Sequence, residues 1–236
     1  MIILPAIDIY EGKAVRLLNG DYDKITVYSE RPEEIGLDFA RCGAEWVHIV
    51  DLEGARNGET PNLPVITRII DTCGLKAEVG GGIRSMAVIE KYLDAGVSRV
   101  VLGTAAVKDP QLLDEAVKRF GDCIAVGVDI KNNYVAIKGW TEKSDLKAMD
   151  FCKDLQDRGV STIVCTDISR DGAMKGTNVA LYKRMSKSLK LNIVASGGVS
   201  SEDDVKALRE AGLYGAIIGK AYYTGAIDLK KILEDR

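Results

Sequence analysis

A gapless internal duplication constrains this chain more than any other feature of its sequence. The segment Val79–Val107, VGGGIRSMAVIEKYLDAGVSRVVLGTAAV, aligns on Ala195–Tyr223, ASGGVSSEDDVKALREAGLYGAIIGKAYY, placing Gly81 on Gly197, Gly82 on Gly198, Gly96 on Gly212 and Gly103 on Gly219. The same offset carries HIVD, ending in Asp51, onto VCTD, ending in Asp167. A slightly larger offset carries ILPAID, ending in Asp8, onto IAVGVD, ending in Asp129, so the first half holds extra residues after its first strand. Self-similarity of this length predicts two matching halves, roughly 1–120 and 121–236.

Within those halves, runs rich in β-branched residues predict eight strands: Ile2–Ile7, Trp46–Val50, Lys76–Val79, Arg99–Leu102, Cys123–Val128, Ser161–Cys165, Leu191–Ala195 and Gly215–Ile218. Most are apolar at consecutive positions, as a parallel strand covered on both faces requires. Helical segments follow most of them, among them Pro32–Cys42, Met86–Ala95, Pro110–Phe120 and Glu202–Ala211. Strand then helix, eight times in 236 residues, predicts one (β/α)8 TIM barrel domain over 1–236 with a two-fold half-barrel repeat. A doubly wound open sheet shares the periodicity, and the four-plus-four repeat favours the closed barrel.

Composition removes several function classes. The net charge is −3 with no basic stripe, so nucleic acid is not an expected partner. Cys42, Cys73, Cys123, Cys152 and Cys165 are odd in number and lack C-x-x-C spacing, which argues against disulfides and zinc and for reduced thiols in cytoplasm. The N-terminal MIILPAID has no charged leader region, and no apolar run reaches the length of a membrane span, so a cytoplasmic chain without a membrane partner is expected. His48 is the only histidine, which excludes multi-histidine metal sites; no metal site is expected. A monomer is expected.

Side chains at the C-terminal ends of barrel strands face the active site. Asp8, Asp51, Asp129 and Asp167 all sit there. Asp8 and Asp129 end the first and fifth strands, opposite each other, and two carboxylates flanking a substrate can divide proton removal and donation. Asp51 and Asp167 are open between chemistry and structure. Gly81, Gly82, Gly103 and Thr104 would expose backbone N–H groups to one anion, and Gly197, Gly198, Gly219 and Lys220 to another, which implies an elongated ligand with two phosphates. Arg84 and Arg16 are candidate anion or substrate contacts. His48 is a substrate contact or a satisfied core histidine. The Arg170–Gly176 loop, RDGAMKG, is a candidate lid, and Trp140 could stack on a planar heterocycle or cover the rim.

The motifs PAIDIYEGKAVRLLNGDY, HIVDLEGA, VGGGIRS, LGTAAVKDP, VGVDIK, GWTE, TDISRDGAMKGTN, ASGGVSS and IIGKAYYTG resemble, in order and over almost the whole chain, the histidine-biosynthesis isomerase family. Its members act on phosphoribosylformimino-5-aminoimidazole carboxamide ribotide. The resemblance implies a (β/α)8 barrel and an Amadori rearrangement of an aminoaldose to an aminoketose, on a substrate phosphorylated at both ends, without cofactor. It implies that Asp8 is the proton acceptor, Asp129 the proton donor and Thr166 a substrate hydrogen-bond partner, with Arg84 the GGGIR arginine. The family often has Gln where this chain has Glu78, Arg at Lys220 and Thr at Ala173.

Three alternatives compete. The sister cyclase barrel of the same pathway typically opens with a CLDV-type strand and a V-K-G segment, where this chain has AIDI and Val15-Arg16-Leu17. A dual-substrate isomerase also acting on phosphoribosylanthranilate would share both aspartates. A non-catalytic phosphosugar-binding barrel would need the glycine turns but not both aspartates.

Overall fold

The computed structural model of the chain describes residues 1–18 and 21–235. Among them, twelve strands form one sheet: β1 (Ile2–Tyr10), β2 (Lys13–Leu18), β3 (Asp21–Ser29), β4 (Trp46–Asp51), β5 (Lys76–Gly80), β6 (Arg99–Leu102), β7 (Ile124–Lys131), β8 (Tyr134–Ile137), β9 (Glu142–Lys147), β10 (Thr162–Asp167), β11 (Asn192–Ser196) and β12 (Gly215–Ile218). Eight are parallel and close on themselves in the order β1, β4, β5, β6, β7, β10, β11, β12 and back to β1. The expected (β/α)8 TIM barrel is therefore the architecture, and the open sheet is excluded.

The other four strands were not legible in the sequence. β1 and β7 run past the expected ends at Ile7 and Val128, leave the barrel wall, and turn back as antiparallel arms: β1 with β2 and β3, β7 with β8 and β9. Both turns are two residues long with positive φ at each central residue, Glu11 and Gly12 in one and Asn132 and Asn133 in the other, the geometry that matches strand twist in tight hairpins. The arms occupy equivalent places in the two halves and rise beside the strand ends that carry Asp8 and Asp129.

The helices are α1 (Pro32–Arg41), α2 (Leu52–Asn57), α3 (Leu63–Cys73), α4 (Met86–Asp94), α5 (Thr104–Lys108), α6 (Pro110–Phe120), α7 (Ala148–Asp157), α8 (Val179–Ser188), α9 (Glu202–Glu210), α10 (Lys220–Tyr223) and α11 (Leu229–Glu234). The duplication reappears in their caps. Ser85 accepts from the Val88 N–H to start α4, and its repeat partner Ser201 accepts from the Asp204 N–H to start α9. Gly103 before α5 and Gly219 before α10 share nearly the same backbone, φ/ψ of −94°/−109° and −101°/−109°.

Strand alternation divides the core into two layers. Ile3, Ile7, Ile9, Val47, Ile49, Val79, Val126 and Val128 face outward and are buried with Phe39, Ile66, Tyr92 and Tyr182 under the helices. Leu4, Ala6, Val101, Ala125, Val164, Val194 and Ile217 point inward and fill the lumen, flanked by Ile2, Trp46 and Tyr214. Arg99 and Glu78 join them as an ion pair: Arg99 Nε donates to Glu78 Oε2 at 2.6 Å, Glu78 is 0% and Arg99 3% exposed, and the guanidinium lies 4.6 Å from the Trp46 ring centre. The stack is cation–π in geometry and keeps the charge off bare hydrocarbon. Removing one partner of such a pair strands the other charge. Arg99→Met is expected to cost about 3–5 kcal/mol, lowering Tm by roughly 10 °C in thermal melts; a change below about 2 °C would show that Glu78 finds another partner.

Candidate active site

Register decides which aspartates enter the mouth. Thr166 pairs with Asp129 across β10 and β7, and Asp8 pairs with Val50 across β1 and β4; these are inward positions, in phase with the lumen residues Ala6, Ala125 and Val164. Asp51 and Asp167 lie one residue further along their strands, opposite Ile9 and Ile130, and so point to the helix side. Asp51 is 0% exposed and accepts from the Gly54 N–H (2.9 Å), Asn62 Nδ2 (2.8 Å) and the Tyr92 hydroxyl (3.3 Å). Asp167 accepts from the Ser169 N–H (3.1 Å) and hydroxyl (2.6 Å) and from Asn178 Nδ2 (2.6 Å). The alternatives left open for this pair resolve toward structure: both carboxylates shape the loops that frame the mouth.

The two inward aspartates have different surroundings. Asp8 Oδ2 accepts from Arg16 Nη1 at 2.8 Å, with side chains 14% and 18% exposed. Arg16, on β2, also donates Nη2 to the Ala6 carbonyl at 3.3 Å, stacks 5.3 Å from the Tyr223 ring centre, and holds an enclosed Nε without a partner. Tyr223 donates its hydroxyl to the same Ala6 carbonyl at 2.8 Å. Among the described residues, the groups that act on Asp129 are Thr166, Trp140 and His48, with no guanidinium among them. Burial pushes its carboxyl above the usual range, and hydrogen bonds from Thr166 and Trp140 and the charge of His48 only partly oppose that. Trp140 reaches it from a left-handed backbone conformation, φ +71°, at the end of the β8 arm.

A third carboxyl was missed by the sequence reading, which treated RDGAMKG only as a lid. Asp171, in that loop, is driven up by burial; the Arg16 charge opposes this, and Asp8 and Asp129 add to it, so all four groups share one field. The loop is tied over the mouth: Arg170 Nη1 donates to the Gly176 carbonyl (3.0 Å), Lys220 Nζ to the Gly172 carbonyl (3.1 Å), and the Gly176 N–H to Ser200 Oγ (3.2 Å). The only sequence signal for Asp171 was its place in a loop after an active-site strand.

His48 sits inside the lumen, with Nδ1 2.7 Å from Glu78 Oε1. Thr104 accepts the Lys138 N–H at 2.9 Å and so braces the loop that carries Trp140. Arg84 is exposed and donates Nη2 to the Ala55 carbonyl at 2.9 Å, against α2.

The glycines are needed for close backbone approach whatever they bind. A Cβ on Gly81 would stand 2.2 Å from the Asp51 carbonyl oxygen, and one on Gly82 1.8 Å from that of Gly54, with φ of +113° and +72°. In the second half, a Cβ on Gly197 would stand 2.8 Å from the Asp167 carbonyl oxygen and one on Gly198 2.6 Å from that of Gly176, with φ of +91° and +81°. Gly103 opens onto free space, whereas a Cβ on Gly219 would meet Arg16 Nη2 at 2.7 Å. The mouth thus has one end lined by bare backbone and another topped by a guanidinium. Gly82→Ala is expected to cost about 3 kcal/mol or more, and Gly198→Ala about 2, because strain at positive φ adds to a clash that is tighter at Gly82. Thermal melts should rank them in that order; equal Tm values would mean the loops part without cost.

Residues 2–228 match the model of a family described as "Histidine biosynthesis protein". The chain is similar to curated proteins named 1-(5-phosphoribosyl)-5-((5-phosphoribosylamino)methylideneamino)imidazole-4-carboxamide isomerase. Identity is 46% over 234 residues for that of Acetivibrio thermocellus, covering 99% of each chain. It is 48% over 234 residues for that of Oceanobacillus iheyensis, covering 99% of this chain and 98% of the relative. An isomerase 2 of the same name from Ruegeria sp. is 48% identical over 235 residues, again 99% and 98%. With the closed barrel, the inward aspartates and these full-length matches in agreement, the chain belongs to the histidine biosynthesis protein family.

Proposed function

We propose that this chain catalyses the aldose–ketose isomerisation for which its relatives are named, an intramolecular Amadori rearrangement in histidine biosynthesis, with Asp8 as base and Asp129 as acid and no cofactor. The observation that carries the role split is the unlike setting of two like side chains. Asp8 is ion-paired with the Arg16 guanidinium, whereas Asp129 is enclosed with Thr166 and Trp140 as its donors, and burial pushes its carboxyl up, toward the protonated acid. Asp129 would protonate the furanose ring oxygen, and cleavage of the bond from that oxygen to C1 would open the ring, the amine lone pair forming the C=N of a Schiff base. Asp8 would then take the C2 proton, leaving an enolamine whose enol collapses to the ketose as C1 is protonated. Thr166, hydrogen-bonded to Asp129, would hold the open chain, and Arg16 and His48 would touch the substrate between the aspartates.

The substrate's two phosphates would lie at the two glycine-lined ends, one at Gly81, Gly82, Gly103 and Thr104 with Arg84 at the rim, the other at Gly197, Gly198, Gly219 and Lys220. The enclosed, unpartnered Nε of Arg16 beside Gly219 supports an anion at the second. No helix among the described residues is long and apolar enough to cross a membrane, and a cytoplasmic monomer that binds one small bis-phosphorylated molecule fits this reading.

The test is an assay of purified protein with the ribotide and, in parallel, with phosphoribosylanthranilate. Ketose formation from the ribotide alone is expected; turnover of both would widen the specificity, and turnover of neither would refute the function. Asp8→Asn and Asp129→Asn should each lower kcat by about 100-fold to 10,000-fold while substrate still binds, and near-normal turnover in either would remove that residue from its role. The pH dependence follows from the direction of the Asp129 shift. A general acid works only when protonated, so the rate should fall as pH rises through a pKa displaced upward from the ordinary carboxylate range, and Thr166→Val, which removes a bond to the ionised form, should move that fall to higher pH. A fall unmoved by Thr166→Val would assign it to another group.

A further inference from the structure

Below the aspartates the lumen contains a charge that the steps above leave unused. Glu78, on β5, has no exposed surface; its Oε1 lies 2.7 Å from His48 Nδ1 and its Oε2 accepts from Arg99 Nε at 2.6 Å. Burial pushes its carboxyl up, but the hydrogen bonds and charges of His48 and Arg99 outweigh that and hold it below the usual range. Glu78 is therefore a carboxylate, and a carboxylate only accepts. The proton in the His48 contact lies on Nδ1, which leaves Nε2 for the ring's remaining neighbours.

Those neighbours come from every strand around it. His48 pairs with Ala6 on one side and Glu78 on the other, so Asp8, with Arg16, stands one inward step above the first and Arg99 behind the second. Across the lumen is Asp129, whose ionised form His48 stabilises; Asp171 adjoins Arg16, Asp8 and Asp129 in the loop above. We infer that Glu78 is a positioning residue: its carboxylate, anchored by Arg99, keeps a proton on Nδ1 of His48 and so decides which nitrogen the ring turns toward Asp129. A carboxylate behind an imidazole fixes tautomer and orientation and raises the basicity of the far nitrogen. Asp129 then gives up its proton in front of a ring whose facing nitrogen Glu78 has set. This last step rests on the proposed reaction; the tautomer does not.

Glutamine at this position would behave differently. The Arg99 N–H needs an acceptor, so the amide oxygen would turn to Arg99 and the amide NH2 to Nδ1, forcing the proton to Nε2 and leaving the ring neutral. Because His48 is the only histidine in the chain, the imidazole 15N resonances of uniformly labelled protein report it without assignment. In the wild-type protein the neutral ring should carry its proton on Nδ1; a neutral ring protonated only on Nε2 overturns the inference, and this measurement needs neither a variant nor activity. Glu78→Gln should switch the ring to the Nε2 tautomer, keep kcat/KM at its optimum within about tenfold, and shift the alkaline fall in kcat by roughly half a pH unit or more, since the nitrogen facing Asp129 changes from acceptor to donor. An unchanged tautomer, or a pH profile superimposable on wild type, would reduce Glu78 to a structural partner of Arg99. If the protein proves inactive on the ribotide, the proposed function fails while the tautomer still decides the role of Glu78.

Discussion

In a parallel strand successive side chains face opposite ways, and closing eight such strands gives each residue one of two destinations, the lumen or the helix layer. Most of what distinguishes this protein follows from that division. Asp8 and Asp129 are in phase with the lumen residues Ala6 and Ala125, so their carboxyls reach the mouth. Asp51 and Asp167, out of phase by one position, are turned outward and spent on Gly54, Asn62, Ser169 and Asn178. The division separates acid–base chemistry from loop scaffolding among four aspartates that look alike as letters.

The apolar lumen then sets the electrostatics above it. Leu4, Val101, Val164, Val194 and Ile217 are buried and apolar, so the Glu78 carboxylate depends on the bonds from Arg99 and His48, and Asp129 feels burial more than it would at an open rim. The same environment makes the two half-barrels chemically unequal. One half supplies Arg16 from its arm to pair with Asp8; the other supplies Trp140 from its arm to meet Asp129. A symmetry of backbone, visible in the matching dihedrals of Gly103 and Gly219, supports two different side-chain roles.

The arms and loops are where sequence reading reached its limit. Lys13–Leu18 carries Lys13 and Arg16 among its apolar residues and Glu142–Lys147 is mostly polar, so the consecutive apolar signal of a barrel strand is absent. Asp171 belongs to a loop whose path depends on Arg170, Lys220 and Ser200, residues far apart or individually unremarkable in the chain. The glycine pairs were legible as turns, but their closeness to the Asp51, Gly54, Asp167 and Gly176 carbonyls was not, since local composition carries no record of which neighbouring loop will pack on it.

The barrel, its eight wall strands and the positions of Asp8 and Asp129 are written in the order of the residues, because they depend on periodicity and on a repeat within the chain. The family followed from motifs in fixed order. Only the tertiary structure decided that Arg16 stands on Asp8, that Thr166 and Trp140 stand on Asp129, that Asp171 joins them, and that Glu78 holds His48 from below. Protonation and charge are properties of surroundings, and surroundings exist only once residues distant in sequence share one enclosed space.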